Sequence, residues 1–100
     1  MKETLEKILD KFKILCNYKK MYCFENAVGY KVYRILHNVI ILLYINETED
    51  GKKYYVFDVE EVYDKNPNLK TKICKSSVDL KLLSYDIEKI LLFLGFYKKE

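Results

Sequence analysis

The stretch VIILLYINETEDGKKYYVFDVEEV constrains the fold of this chain more than any other, because it joins two long apolar runs through one turn signal. Seven consecutive apolar residues, Val39 to Ile45, come first. Glu49-Asp50-Gly51 then suits a type I turn that is closed by a glycine in the left-handed region. We therefore predict a β-hairpin with arms Val39 to Asn46 and Lys52 to Tyr63. The first run is far shorter than the roughly 20 apolar residues that cross a bilayer, so we expect no membrane partner.

The two arms of this hairpin differ in their alternation. One face of the second arm carries Tyr55, Phe57 and Val59, and the other carries Asp58 and Glu60, so this arm is expected to be half exposed. The first arm has no polar face, and a strand of that kind is normally covered on both sides. The first arm is therefore predicted to be a central core strand, with a dimer-forming strand as the alternative.

Helical periodicity appears at both ends of the chain. The N-terminal helix is predicted to bury the stripe Leu5, Ile8, Leu9, Phe12, Leu15 and Cys16. Near the C-terminus, Ser84 has the character of an N-cap, and the helix should run from Tyr85 to about Leu94 and stop at Gly95. Its buried stripe is predicted to comprise Ile87, Ile90, Leu91 and Leu94, widened by Leu92 and Phe93.

Further strands are predicted between these helices. Aromatic and β-branched residues indicate strands at Met21 to Phe24 and Tyr30 to Leu36, with a turn around Asn26 to Gly29 between them. The stretch that follows Asp64 contains the only proline, and we interpret it as a loop with at most one short strand, Thr71 to Lys75. The order predicts one α+β domain spanning residues 1–100, with a mostly antiparallel meander of four to five strands between an N-terminal and a C-terminal helix.

Three cysteines, Cys16, Cys23 and Cys74, form no CxxC pair. Together with His37 they lack the close ligand pairs of structural zinc sites, so we expect no metal. Buried free thiols are the expectation. A disulfide between Cys16 and Cys23, or between Cys23 and Cys74, is the alternative.

Catalytic and cofactor motifs are not recognisable in the sequence. It has three serines, one histidine and no GxSxG elbow, and its three scattered glycines form no phosphate loop. The carboxylates at Asp58, Glu60, Glu61 and Asp64 are interpreted as a solvated acidic face. The charged N-terminus MKETLEKILDKF lacks the apolar region of a secretory signal, which favours a cytoplasmic location. We therefore expect a cytoplasmic, non-enzymatic protein with no catalytic residue and no cofactor.

The charge along the chain is bipolar, which bears on its partners. Residues 47–64 carry seven acidic and two basic side chains, whereas residues 65–81 carry five lysines and one aspartate. Tyrosine supplies a large contact area at low entropic cost, and an acidic patch steers a basic partner. We therefore predict a protein-binding surface that comprises Tyr44, Tyr54, Asp58 and Glu60.

Nucleic-acid binding is the alternative hypothesis. Its lysines would be Lys65, Lys70, Lys72 and Lys75, and its stacking platform would be the strand tyrosines Tyr30, Tyr33, Tyr44, Tyr54 and Tyr55. The chain has a single arginine, an acidic hairpin and no RNP-type pattern, so this hypothesis is the less favoured one.

The number of helices indicates how the sheet is covered. Two helices of about 10 to 16 residues can cover one face of a four- or five-stranded sheet. The other face would then expose Ile40, Leu42, Tyr44, Tyr54 and Val56, and a twofold contact between two copies would bury that patch. A homodimer is therefore expected, and the alternative is a monomer with the helices on opposite faces.

The amino-acid composition of the chain also resembles that of a known group of proteins. The chain has a lysine-rich opening MKETLEKILDKFK, strands such as YKVYRIL and KKYYVFDVEEVYD, a closing FLGFYKKE and no glutamine. In these features it resembles the small orphan proteins encoded by viruses of hyperthermophilic archaea. The resemblance implies a compact α+β domain, often dimeric, that acts in the host cytoplasm. It also implies a non-enzymatic accessory role: binding a host protein or complex, as anti-CRISPR inhibitors do, or binding DNA. It transfers no functional residue.

Overall fold

The computed structural model describes the backbone of residues 1–13, 18–24, 26–33, 37–63 and 66–99, and the side chains of residues 1–12, 26–31, 38–61 and 72–99. The helices are α1 (Lys2–Asp10) and α2 (Leu80–Phe93). The strands are β1 (Phe12–Lys13), β2 (Tyr18–Phe24), β3 (Ala27–Tyr33), β4 (His37–Glu47), β5 (Lys53–Tyr63), β6 (Asn66–Ser77) and β7 (Tyr97–Lys98).

The five long strands form one sheet in the order β2-β3-β4-β5-β6, and every neighbouring pair is antiparallel. Each strand pairs with its neighbour in sequence, so the sheet is a meander. The short strands β1 and β7 pair separately. The predicted α+β fold, with a helix at each end of an antiparallel meander, is confirmed.

The predicted central hairpin is present as β4 and β5. Its register runs from His37 opposite Tyr63 to Glu47 opposite Lys53. Gly51 has a φ of +84°, which places it in the left-handed region that the turn requires. Thr48 closes the turn, because its backbone N–H donates to the Lys52 carbonyl at 2.9 Å and its Oγ1 accepts from the Lys52 N–H at 3.1 Å.

Helix α1 is shorter than the periodicity predicts. Leu5, Ile8 and Leu9 are buried as expected, but the helix ends at Asp10. Phe12 is also buried, yet it lies in β1, where it pairs with Lys98. The chain leaves the helix because β7 offers a competing partner: the Lys99 N–H donates to the Lys11 carbonyl at 2.8 Å. Leu15 and Cys16 lie outside the described residues.

Helix α2 begins at Leu80, so the prediction of Ser84 as N-cap is wrong. The cap is Asp79, whose Oδ1 accepts hydrogen bonds from the backbone N–H groups of Lys81 at 2.8 Å and Leu82 at 3.4 Å. Ser84 lies inside the helix, where its hydroxyl donates to the Leu80 carbonyl at 2.7 Å. The predicted C-terminal end is confirmed, because Gly95 follows the last turn with a φ of +91°.

The two sides of α2 are both apolar. Leu83, Ile87, Ile90 and Leu91 are buried, and Leu94 is partly buried against the core. Leu92 and Phe93 do not widen that stripe as predicted, because they are 45% and 82% exposed. Successive helical residues are about 100° apart, which turns these two side chains away from the core.

Strand β3 begins three residues earlier than predicted, and β6 is longer than predicted. The turn expected around Asn26 to Gly29 is mostly strand, since Gly29 pairs with Tyr22 on one side and Leu42 on the other. The stretch interpreted as a loop is the twelve-residue strand β6. Its proline is tolerated because β6 lies at an edge of the described sheet, where one side of the backbone needs no ladder partner. Tertiary pairing with β5 thus overrides the local turn signals.

The core lies on one side of the sheet. Val39, Ile41 and Leu43 of β4 are 0% exposed and belong to a single cluster with residues of both helices. Ile40 and Leu42 project to the other face and are half-buried. β4 is therefore the central strand, as predicted, but the expectation that both of its faces are covered is wrong for the described part of one chain.

Candidate protein-interaction face

The sheet face that points away from both helices is the candidate site, and we call it the open face. Directly opposed residues in an antiparallel sheet share a face, so the register identifies its members. From β3 to β6 they are Lys31, Ile40, Leu42, Tyr44, Tyr54, Val56, Asp58, Glu60, Lys72, Cys74 and Ser76. No helix in the described part of the chain packs on this face.

The four residues predicted to bind protein all lie on the open face. Tyr44 is on β4, and Tyr54, Asp58 and Glu60 alternate along β5. Each of the four is partly exposed. The structure therefore brings the predicted residues together on one surface, with Leu42 and Val56 among them.

The centre of the open face is apolar and its margins are charged. In register, Val56 lies between Tyr44 and Ser76, and it is 4% exposed although it lies outside the main core cluster. One row further along the sheet, Leu42 lies between Gly29 and Asp58. Leu42 and the neighbouring Tyr44 are the partly exposed members of this centre, and they are what a partner could bury.

The charged margin is a cross-strand row. Ile40 is flanked by Lys31 on β3 and Glu60 on β5, and Lys72 on β6 follows Glu60. Opposite charges that face each other across strands stabilise the sheet, and here they also give the margin both signs of charge. A partner that contacts this margin must therefore present both basic and acidic groups, not basic groups alone.

Asp58 is the best-defined polar group of the open face. Its Oδ2 accepts a hydrogen bond from the hydroxyl of Tyr44 at 3.2 Å. Its Oδ1 is buried and has no hydrogen-bond partner of normal geometry within the described residues. Burial, and then the charge of Asp58, raise the pKa of the Tyr44 phenol above its ordinary value.

Cys74 lies opposite Asp58 on β6 and was not predicted as part of the site. It is an exposed free thiol, so the expectation of a buried thiol and the Cys23–Cys74 disulfide alternative are both wrong. The hydrogen bond to Asp58, and then burial, raise the pKa of the Cys74 thiol. The alternation Lys72, Cys74, Ser76 could have placed it on this face if β6 had been recognised as a long strand. Cys16 lies outside the described residues, as does the side chain of Cys23.

The predicted acidic cluster is divided between the two faces. Asp58 and Glu60 are on the open face, whereas Glu61 is buried on the helix-covered face opposite Val39. The interpretation of all these carboxylates as one solvated face is therefore wrong for Glu61. Asp64 lies outside the described residues. In the part of the chain that the structure describes, no three His, Cys, Asp or Glu side chains form a metal-binding group.

The lysines of the nucleic-acid alternative do not share one described surface. Lys72 is on the open face, but Lys75 pairs with Phe57 and is therefore on the side of α2. Lys70 pairs with Val62 in the backbone register, and its side chain is outside the described residues. Lys65 lies outside them entirely.

The tyrosines proposed as a stacking platform are divided in the same way. Tyr30 is 2% exposed in the core, where its hydroxyl donates to Oε1 of Glu6. Tyr55 is partly buried against the core. Tyr44 and Tyr54 remain on the open face, and the side chain of Tyr33 is outside the described residues.

Comparisons with models of protein families, with curated proteins and with solved structures find no significant match for this chain. Neither α1 nor α2 is long and apolar enough to cross a lipid bilayer, as judged over the described residues.

Proposed function

We propose that this chain is a small, non-enzymatic protein-interaction module that binds a partner protein through the open face. The observation that carries the proposal is the placement of both helices on one side of the sheet, which leaves Leu42 and Tyr44 partly exposed on the other. Interfaces combine an apolar, aromatic centre with a polar margin, and the open face has this arrangement.

The mode of binding follows from the position of β4. Its backbone is paired with β3 on one side and β5 on the other, so a partner cannot add a strand to it. Affinity must come from side chains that project from the face. Tyr44 and Tyr54 are the expected anchors, because large aromatic side chains contribute most of the energy of many interfaces.

The chemistry of the partner follows from the polar groups of the face. The carboxylates of Asp58 and Glu60 lie beside the apolar centre and attract lysine or arginine side chains of a partner. Lys31 and Lys72 lie at the margin of the face and favour acidic groups on the partner. The partner surface should therefore be apolar at its centre, with a basic group opposite Asp58. By the compositional resemblance described above, the partner belongs to a host cell in which a virus-encoded accessory protein acts.

The test compares tyrosines on and off the open face. Wild-type protein and the variants Tyr44→Ala, Tyr54→Ala and Tyr97→Ala are immobilised and exposed to an extract of the natural host cells. Tyr97 is the matched control because it is 72% exposed on β7, in the other sheet. A partner captured by the wild type and by Tyr97→Ala should then be purified and titrated calorimetrically.

We expect each open-face variant to bind that partner about tenfold or more weakly, the cost of truncating an aromatic anchor. Equal binding by all three variants would refute the proposal. In parallel, fluorescence anisotropy with single-stranded DNA and RNA oligonucleotides tests the alternative. Micromolar or tighter binding at physiological salt, abolished by Lys72→Glu, would replace the proposal with nucleic-acid binding.

A further inference from the structure

A second uncovered surface lies on the outer side of α2, and it is separate from the open face. Its apolar members are Leu82, Tyr85, Leu92 and Phe93, whose exposed fractions are 63%, 61%, 45% and 82%. Leu82, Tyr85, Lys89 and Leu92 follow the three-and-four spacing of a helix-packing seam, and Phe93 extends it. We call these five residues the outer stripe.

The outer stripe gives α2 a second apolar side, separate from the side that faces the core. Leu83, Ile87, Ile90 and Leu91 bury the opposite side of the helix against the sheet. A surface helix of a monomer normally carries polar residues on its outer side, and a group of large exposed apolar side chains often marks a binding surface. The outer stripe therefore calls for a partner even though the inner side of α2 already has one.

We infer that the outer stripe is a homodimer interface in which α2 of two chains pack antiparallel about a twofold axis. The charges near the middle of the helix argue for a second copy as the occupant. Asp86 and Lys89 carry opposite charges and are three residues apart in α2. This spacing places them on the same side of the helix, about one turn apart. In an antiparallel pair, Lys89 of each chain comes within reach of Asp86 of the other, and the same attraction forms twice.

The apolar residues at the two ends of the outer stripe also face each other in the antiparallel pair. Leu82 lies in the first turn of α2, and Leu92 and Phe93 lie in the last. An antiparallel pair places Leu82 of one chain against Leu92 and Phe93 of the other, so both apolar ends are covered. A parallel pair would instead place Lys89 against Lys89 and align the two helix dipoles, which are both unfavourable.

The area is sufficient for a reversible dimer. An aromatic side chain can bury about 150–250 Å², so Tyr85 and Phe93 at their present exposure offer on the order of 300 Å² between them. Leu82 and Leu92 add to this, and complete burial of two stripes would approach the ~1,000 Å² that marks the lower limit of a specific interface. An interface at this lower limit should dissociate on dilution.

Sedimentation velocity over a wide concentration range tests the inference. The wild type should shift with concentration from the 12.1 kDa chain to a species of twice that mass. The double variant Leu82→Glu/Phe93→Glu should remain monomeric, and its circular dichroism should match the wild type because both side chains are already exposed. Leu42→Asp, on the open face, should still dimerise.

A charge exchange tests the antiparallel arrangement. Asp86→Lys or Lys89→Asp alone should weaken the dimer roughly tenfold, because two attractive contacts become repulsive ones. The double variant Asp86→Lys/Lys89→Asp restores the complementarity and should restore the dimer. Three results would each overturn the inference: a wild type that stays monomeric at high concentration, failure of the double exchange to rescue, or a dimer lost through Leu42→Asp but kept by Leu82→Glu/Phe93→Glu. Because the open face is not used, none of these results decides whether it binds a protein partner.

Discussion

The hydroxyl of Tyr44 donates a hydrogen bond to Oδ2 of Asp58 at 3.2 Å across the pair β4–β5. The two residues are diagonal neighbours on the open face, a separation that long side chains bridge readily. On the other side of the carboxylate lies the thiol of Cys74. Asp58 thus has the Tyr44 hydroxyl on one neighbouring strand and Cys74 on the other.

This arrangement predicts that Asp58→Asn makes Cys74 more reactive. The carboxylate accepts the hydrogen bond of the thiol and opposes the negative charge of the thiolate, and both effects raise the thiol pKa. The amide variant should therefore increase the thiolate fraction near pH 8 and accelerate alkylation by iodoacetamide several-fold. The rate is measured by mass spectrometry of the peptide that contains Cys74. Glu60→Gln removes a similar charge from the same face and serves as control; equal rates for Asp58→Asn and the wild type would contradict the prediction.

Three adjacent residues of β4 provide a direct test of the one-sided core. Ile41 and Leu43 are 0% exposed beneath the helices, whereas Leu42 is half-buried on the open face. Ile41→Asp or Leu43→Asp should unfold the domain, because each buries an unpaired carboxylate at a cost of several kcal/mol, roughly. Leu42→Asp should keep a cooperative thermal transition by circular dichroism. If Leu42→Asp unfolds the isolated chain as well, the open face is covered in a way that the described residues do not show.

Alternation predicted the hairpin and the open face well because β5 carries a strict pattern. Tyr55, Phe57 and Val59 face the core, while Asp58 and Glu60 face away from it, and the pleat of a strand enforces this division. The same alternation places Tyr54 on the face of these carboxylates, and the pairing of β4 with β5 places Tyr44 there as well. The sequence could not assign the two faces of β4, because its residues Val39 to Ile45 are all apolar and only the position of the helices decides which face is covered.

Sequence reasoning failed where local signals compete with tertiary pairing. Gly29 and the proline-containing stretch carry turn signals, yet both lie in strands because neighbouring strands supply ladder partners. Cys74 could not be placed beside Asp58 without the register of β6. On α2, Leu92 and Phe93 have the same apolar character as the buried residues, so hydropathy alone could not separate the inner side of the helix from the outer side.

The start of α2 offers a test of the capping assignment. Asp79 Oδ1 accepts from two backbone N–H groups of the first turn, whereas the hydroxyl of Ser84 donates to a carbonyl inside the helix. Asp79→Ala should lower the free energy of unfolding by about 0.5–2 kcal/mol, the usual cost of removing an N-cap. Ser84→Ala should have a smaller effect, since alanine has the higher helix propensity. Urea denaturation measures both, and a larger loss for Ser84→Ala would restore the assignment made from the sequence.

The ion pairs of Glu88 should make the stability of the fold depend on pH. The Glu88 carboxylate accepts from Lys98 Nζ at 2.8 Å and from Lys11 Nζ at 2.9 Å, joining α2 to β7 and to the end of α1. The hydrogen bonds from Lys98 and then Lys11 lower the pKa of Glu88 below its ordinary value of 4.5. A carboxyl whose pKa is lower in the folded state stabilises the fold above the unfolded pKa, and this stabilisation is lost as the pH falls through the folded pKa.

The size of this contribution is limited by solvent, because the two lysine side chains are 58% and 49% exposed. We expect Glu88→Gln to cost a few tenths of a kcal/mol at pH 7, roughly, and less in high salt. The difference from the wild type should shrink as the pH falls below about 4.5, where the carboxyl of the unfolded chain becomes protonated, and should vanish below the lower pKa of the folded state. Urea denaturation at a series of pH values measures this difference, with Glu3→Gln in the exposed first turn of α1 as control. A difference that stays constant or grows down to pH 3 would show that the two lysine contacts do not stabilise the folded chain.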